Sequence, residues 1–338
     1  MKIAIIGAGA VGGYVGARLA LVGEEVTFLA RGANLAAIRA NGIKLVLPDG
    51  SEQVASNVRA TQDYDAAGPQ DFVILAMKAH QVEAVADDVP KLFGADTVVV
   101  PMQNGIPYWY FHKHGGELEG TCVKSVDPHG QILRKISPER VIGCVVYPAS
   151  ELVAPGVIRL IEGDRFPVGE LDGSTTRRVT SVSECFTQAG FKAPVLEDIR
   201  AEMWLKLWGN LTFNPISALS RSTLADICQF PLSRELAAAM MTEAQAIANK
   251  LGITFRVPLE KRIAGAEKVG KHKTSMLQDV EAGRSPEVDA LVGSVVELGY
   301  LTRTPTPHIG TVYALTKLLA KMLEEERAAP SQGGGARI

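Results

Sequence analysis

Lys2-Ile3-Ala4-Ile5-Ile6-Gly7-Ala8-Gly9-Ala10-Val11-Gly12-Gly13 opens the chain, and its reading decides the fold. The apolar run reads as a buried parallel strand, and Gly7-x-Gly9-x-x-Gly12 lets the chain turn tightly while its amides approach a pyrophosphate. Tyr14 to Val22 then continue as a helix, whose free N-terminal N–H groups and positive dipole end suit a phosphate. The candidate cofactor contacts in this turn are Gly7, Ala8, Gly9, Ala10, Val11 and Gly12. A second strand, Glu25-Val26-Thr27-Phe28-Leu29, follows. An NAD-specific site ends that strand with Asp or Glu for the ribose 2′-OH. Here the chain reads Ala30-Arg31-Gly32. A guanidinium pairs with a 2′-phosphate through parallel charge-assisted bonds, so NADP(H) is expected over NAD. The plainer alternative makes Arg31 a solvated loop cation.

The chain has 338 residues, 46% hydrophobic and 21% charged, which suits a soluble protein of two domains. A formal net charge of −2 gives no basic field for nucleic acid, and no apolar run reaches membrane-spanning length. The first strand begins at residue 2, leaving no room for a secretory signal, so the expected location is cytoplasmic. Cys122, Cys144, Cys185 and Cys228 are scattered without a CxxC pair, which argues for reduced thiols and against zinc. His112 and His114 with Cys122 read as a chance cluster in a polar loop, and no metal is expected. The expected partners are a small-molecule substrate and, at most, a second copy of the chain in a homodimer.

Further apolar strand candidates lie at 43–47, 72–76, 98–100, 141–146, 157–161 and 166–169, with a helical stretch at 81–92. This is α/β patterning, a Rossmann-type doubly wound sheet. From about Asp198 helix-period segments dominate, at 199–213, 233–251, 286–301 and 308–326. Ser233 is a candidate N-cap for the second of these, with Gly252 just past its end. The expected organisation is a nucleotide-binding domain over 1–197, an all-helical domain over 198–327, and a disordered tail over 328–338. Between 106 and 140 the aromatics Tyr108-Trp109-Tyr110-Phe111, then Gly115-Gly116 and Asp127-Pro128-His129-Gly130, read as an excursion over the surface, either a binding lid or a loop packed down by its own rings.

The helix at 199–213 carries Glu202, Lys206 and Asn210, with Asn214 next, at intervals of four. They form one stripe, while Met203, Trp204, Leu207, Trp208 and Leu211 cover the other sides. A solvated face with a Glu202–Lys206 pair is one reading. The other is a crevice: Asn is a poor helix former, and two on one line with a lysine suit hydrogen bonding to a substrate. A carbonyl reduction needs a proton for the developing alkoxide, which Lys206 can supply, and partial burial brings a lysine toward neutral pH. Lys78 and Asn104 follow the strands at 72–76 and 98–100, where carboxyl ends of parallel strands line a cofactor crevice. Taken alone, Lys78 also reads as a loop charge and Asn104-Gly105 as a turn.

With Leu29-Ala-Arg31, Met77-Lys78-Ala79, Gln103-Asn104-Gly105, Arg200-Ala-Glu-Met-Trp-Leu-Lys206, Asn210, Asn214-Pro215, Ser275-Met-Leu-Gln-Asp279 and Glu287-Val-Asp289, the chain resembles the ketopantoate reductases over nearly its whole length. That resemblance implies NADPH-dependent reduction of 2-dehydropantoate to pantoate, on the route to pantothenate and coenzyme A. It makes Lys206 the proton donor. Lys78 and Asn104 then contact the cofactor, Asn104, Asn210, Asn214 and Ser275 hold the keto acid, and Glu287 lies against substrate and cofactor. From the residues alone, Ser275-x-x-Gln278 is a capping box and Glu287 an acid favoured by a helix dipole. The chain departs from the family at Cys144-Val145-Val146-Tyr147-Pro148, where a Thr/His segment is common, and in the length of 106–140. A further family asparagine has no counterpart in 217–225. The alternatives are a reductase of another 2-keto acid on the same scaffold and a non-catalytic NADP sensor.

Overall fold

Runs of Ile, Val and Phe that are buried on both faces need two layers to cover them, and the computed structural model, which describes residues 1–328, shows those layers. The tail expected from 328 on lies, from 329, outside the described residues. The chain divides into two compact units, Met1–Met203 and the part from Trp204 onward.

In the first unit the strands are β1 (Lys2–Ile6), β2 (Glu25–Leu29), β3 (Ile43–Val46), β4 (Glu52–Ala55), β5 (Arg59–Thr61), β6 (Gln70–Leu75), β7 (Phe93–Pro101), β8 (Gly143–Cys144), β9 (Ala149–Ala154), β10 (Val157–Glu162) and β11 (Val168–Gly169). Its helices are α1 (Ala10–Leu21), α2 (Gly32–Asn41), α3 (Tyr64–Ala67), α4 (Gln131–Lys135) and α5 (Arg177–Gln188). The main sheet runs β5-β2-β1-β6-β7, parallel throughout, with Ile5 opposite both Phe28 and Ile74. This confirms the Rossmann-type doubly wound sheet. A second sheet, β4-β3-β10-β9, packs on the other side of α1. That helix is therefore apolar nearly all round, with Tyr14, Val15, Ala17, Leu19 and Ala20 all buried.

Several expectations change in detail. The first helix starts at Ala10 rather than Tyr14, because Gly12 and Gly13 serve as packing positions inside it rather than as the turn. No α-helix forms over 81–92; three single 3₁₀ turns replace it, at Ala79–Gln81, Glu83–Val85 and Val89–Leu92. Pro90, which has no N–H to donate, falls at the start of the third turn, where none is needed. The strand at 141–146 shrinks to β8 because the chain changes partners: Ile142 N–H bonds Val99 O, then β8 pairs with β11. The 106–140 stretch is no surface excursion at its aromatics. Trp109, Tyr110 and Phe111 are at most 1% exposed, which decides for rings that pack the loop down. Arg200, itself buried, clamps that loop by donating to Tyr110 O (2.9 Å), His112 O (2.5 Å) and Leu171 O (2.5 Å). Burial pushes its pKa down, yet three carbonyls satisfy the cation.

Helix α6 (Ile199–Ser220) starts in the first unit and continues in the second. It passes Pro215, where a stop after 213 was expected. Proline removes one helical hydrogen bond there, but Ile216, Ser217 and Ala218 are buried and hold the last turns. In the second unit follow α7 (Leu224–Gln229), α8 (Pro231–Lys250), α9 (Leu259–Lys268), α10 (Ser275–Glu281), α11 (Ser294–Leu301) and α12 (Pro307–Ala328). Helix α8 starts at Pro231, whose fixed φ suits a first helical position; Ser233 is not the cap but donates to Ile227 O at 2.7 Å. Gly252 past its end has φ +81°, as a C-terminal stop requires. The core of this unit gathers on Trp208, whose Nε1 donates to Met241 O (2.7 Å) and whose ring stacks on Phe255 at 4.1 Å.

Candidate active site

The glycine turn lies between β1 and α1 and spans Gly7 to Gly9. Gly7 takes φ +100°, open to glycine, and its amide bonds Leu29 O at 3.1 Å, tying β1 to β2. Gly9 is the N-cap of α1, and no side chain caps the helix there. A Cβ on Gly9 would meet nothing within 4 Å, whereas one on Gly12 would stand 2.0 Å from Gly7 O. Gly12 thus seats the helix on the strand, and Gly9 leaves the approach to the helix N-terminus bare. Both features fit a pyrophosphate held by backbone amides. Ala8 is buried, and Ala10 and Val11 are half-buried in the first turn. Asn34, which the sequence reading passed over, braces the turn. Its Nδ2 donates to Ala8 O, and its Oδ1 accepts Gly156 N–H at 2.7 Å.

Arg31 stands at the end of β2 as the exposed N-cap residue of α2. Its charge reaches Tyr64, where it opposes a rise of the phenol to about 12 caused chiefly by burial. Lys78 and Asn104 follow the carboxyl ends of β6 and β7, both half-buried. Gln103 joins those two strand ends: its Nε2 donates to Leu75 O (2.7 Å) and Met77 O (3.2 Å). The first unit therefore collects the turn, Arg31, Lys78 and Asn104 at the carboxyl edge of one parallel sheet.

The second unit carries Lys206, Asn210 and Asn214 on one line of α6. Lys206 and Asn210 are half-buried, and Asn214 is 5% exposed. Glu202, at the head of the line and still in the first unit, is 2% exposed, so the reading as a solvated face is wrong there. Its carboxylate accepts Tyr147 Oη–H (2.7 Å) and Arg165 Nη1–H (2.5 Å). Burial first, and then the bond to Glu202, pushes the Tyr147 phenol up to about 12. The segment 144–148 thus has its own task, holding a buried acid.

Ser275 is not an N-cap. Thr274 fills that role by accepting Leu277 N–H (3.3 Å), while Gln278 Nε2 donates back to Lys273 O (3.1 Å). The capping box reading fails by one residue, and Ser275 is an exposed residue in the first turn of α10. Glu287 is half-buried and immediately precedes a helix that opens as a π-turn, Asp289–Gly293. Among the described residues no group of three or more His, Cys, Asp or Glu is placed to hold a metal, and no helix is long and apolar enough to cross a membrane.

Two family models match the chain: ketopantoate reductase PanE/ApbA over residues 3–173, and ketopantoate reductase PanE/ApbA C terminal over 198–320. The 2-dehydropantoate 2-reductase of Mesorhizobium japonicum is 54% identical over 321 residues, covering 95% of this chain and 98% of that one. A candidate ketopantoate reductase from Ralstonia solanacearum MolK2 superposes with a TM-score of 0.91 at 43% identity, covering 96% of this chain and 98% of that one. D-mandelate dehydrogenase, solved with NADH and anilino(oxo)acetate, shares the fold at a TM-score of 0.81 and 22% identity, over 96% of this chain and all of that one (100%). The family models and the curated relative make the chain a pyridine-nucleotide-dependent oxidoreductase acting on a CH–OH group. More narrowly, as its motifs imply, the chain belongs to the ketopantoate reductase family.

Proposed function

We propose that this protein reduces 2-dehydropantoate to pantoate with NADPH, in the cytoplasm and on the route to pantothenate. The observation that carries the reading is the line Lys206, Asn210, Asn214 on a helix whose first turn is buried. A proton donor and two amides in that setting serve a carbonyl reduction and have no evident use in a sensor. Arg31 at the end of β2, with no acid beside it in sequence, supports NADPH over NADH.

When bound, the cofactor supplies a hydride to C2 of the keto acid. As that C–H bond forms, the carbonyl electron pair moves onto oxygen, and Lys206 Nζ delivers the proton that completes the 2-hydroxy acid. Lys206 is left neutral and regains its proton from solvent. The amides of Asn210 and Asn214, with the hydroxyl of Ser275, orient the acid without competing for that proton, and such orientation itself accelerates the reaction. Lys78 and Asn104 at the strand ends, with Glu287, take the cofactor side, and Asn104 and Glu287 also touch the acid.

A second reading, reduction of a different 2-keto acid, is favoured by the departure at 144–148, where Tyr147 is committed to Glu202. Loss of NADPH absorbance with 2-dehydropantoate and a panel of 2-keto acids tests all of this. Preference for 2-dehydropantoate is expected; preference for another acid supports the second reading, and no turnover on any acid supports a sensor.

A further inference from the structure

The helix behind Glu287 opens with an irregularity that one residue holds in place. Asp289–Gly293 wind as a π-turn before α11 begins, a rare geometry that recurs beside functional residues. Both ends of this turn close on Tyr313 of α12. At the front, Asp289 Oδ1 accepts Tyr313 Oη–H at 2.7 Å, and Asp289 Oδ2 accepts Lys317 Nζ at 2.9 Å. At the back, a Cβ on Gly293 would stand 2.9 Å from Tyr313 Cε2 and 3.0 Å from its Oη, so the ring passes only because that position has no side chain. Tyr313 and Lys317 are four apart on α12 and therefore present their donors together. Lys317 and Asp289 are both partly solvated, and such pairs contribute little, which leaves the phenol as the main tie. The same segment is fastened to α12 a second time, by Ser285 Oγ donating to Glu324 Oε1 at 3.3 Å.

Only Val288 separates Asp289 from Glu287, so a tie that holds the chain at Asp289 also restricts where Glu287 can stand. We infer that Tyr313 is a positioning residue for Glu287, acting through the Asp289 carboxylate and the π-turn. The inference rests on the role proposed above for Glu287, against substrate and cofactor.

Two measurements on the full chain test it together. Hydrogen exchange without any ligand reads the latch: Tyr313→Phe, which keeps the ring and loses one hydroxyl, should speed exchange of amides 287–293 while leaving α8 unchanged. Steady-state kinetics with NADPH and the preferred keto acid read the consequence. Tyr313→Phe should lower kcat/KM about tenfold, the scale of one hydrogen bond to a charged group. The double variant with Glu287→Gln should then be no worse than Glu287→Gln alone, since the phenol acts through that carboxylate. Losses that multiply would show Tyr313 to act elsewhere and overturn the inference. Unchanged exchange with an impaired Glu287→Gln would locate the error in the latch. Altered exchange with an unimpaired Glu287→Gln would locate it in the reading of Glu287, and the inference would fall with that reading.

Discussion

Gly9→Ala and Gly12→Ala each add one methyl, three residues apart, one at the N-cap of α1 and one inside it, and should have opposite signatures. At Gly12 the new Cβ would lie 2.0 Å from Gly7 O, 2.9 Å from Ala76 Cβ and 3.0 Å from Ile5 Cγ2, where ordinary contact begins at 3.4 Å. The nearest atom is backbone, held by the Gly7–Leu29 bond, so α1 must retreat instead. It has little room, lying between two sheets with most of its surface buried. Overpacking of this kind costs about 3 kcal/mol at the upper end of the usual range. For a unit of this size that lowers Tm by about 6–12 °C. The retreat also carries the helix amides away from the phosphate, and loss of a charge-assisted bond weakens NADPH about 10- to 100-fold. At Gly9 the methyl meets nothing within 4 Å and φ is −78°, which alanine adopts freely. The cofactor-free Tm should stay put, while NADPH affinity falls by a similar factor because the methyl occupies the pyrophosphate approach. Thermal denaturation by circular dichroism without cofactor, and titration of NADPH fluorescence, separate the two effects. Wild-type affinity in Gly9→Ala, or a wild-type Tm in Gly12→Ala, would refute the account of the turn.

Lys206→Ala should lower kcat by about 10²–10⁴-fold, the scale of a general acid, with the NADPH Kd nearly unchanged; near-normal turnover would remove Lys206 from its role. Arg31→Ala should weaken NADPH by roughly 10-fold or more and NADH far less, as read by titrating each cofactor; equal losses would leave the 2′-phosphate contact without support. Glu243 on α8 accepts His308 N–H and Ile309 N–H, each at 3.0 Å, and so caps α12 from a neighbouring helix. Glu243→Ala should cost about 1 kcal/mol in calorimetry, and an unchanged Tm would count against that cap. Burial raises Tyr64 and Tyr147 to about 12, so the fold binds their protons more tightly than the unfolded chain does. Their contribution is intact below pH of about 10 and is lost as pH climbs through about 12. Tm followed from pH 8 upward should therefore fall in that window, and a rising Tm would contradict the sign.

The strand, turn and helix were legible because they are local, within 20 residues, but that Gly12 packs inside the helix while Gly9 stays bare shows only in the structure. The α6 line was legible for the same reason, as a period of four. What escaped was held from far away in the chain. Asn34 reads as an ordinary helix residue until Gly156, 122 positions on, is seen to donate to it. Gln103 reads in the sequence only as part of Gln103-Asn104-Gly105, while its bonds to Leu75 and Met77 cross between strands. The carbonyls of Tyr110 and His112, beside the buried rings of Trp109 to Phe111, find their donor in Arg200, 88 residues from His112. Short strands such as β8 and β11 have two residues each, too few for any period to show. The 3₁₀ turns at 79–92 illustrate the opposite failure, an apolar spacing suited to an α-helix that the chain does not follow.

Arg200 also limits how this chain can be rearranged. The boundary between the two family models invites a cut or a linker somewhere in 174–197, and so does the change of texture near Asp198. Splitting there would send the guanidinium away with the helical piece and leave the Tyr110, His112 and Leu171 carbonyls without their donor. An amino-terminal fragment meant to bind nucleotide by itself should therefore run to Met203, keeping the first turn of α6 as its own plug. Shorter pieces would be expected to precipitate, because the ring cluster at 108–111 would lose the peg that pins it inside.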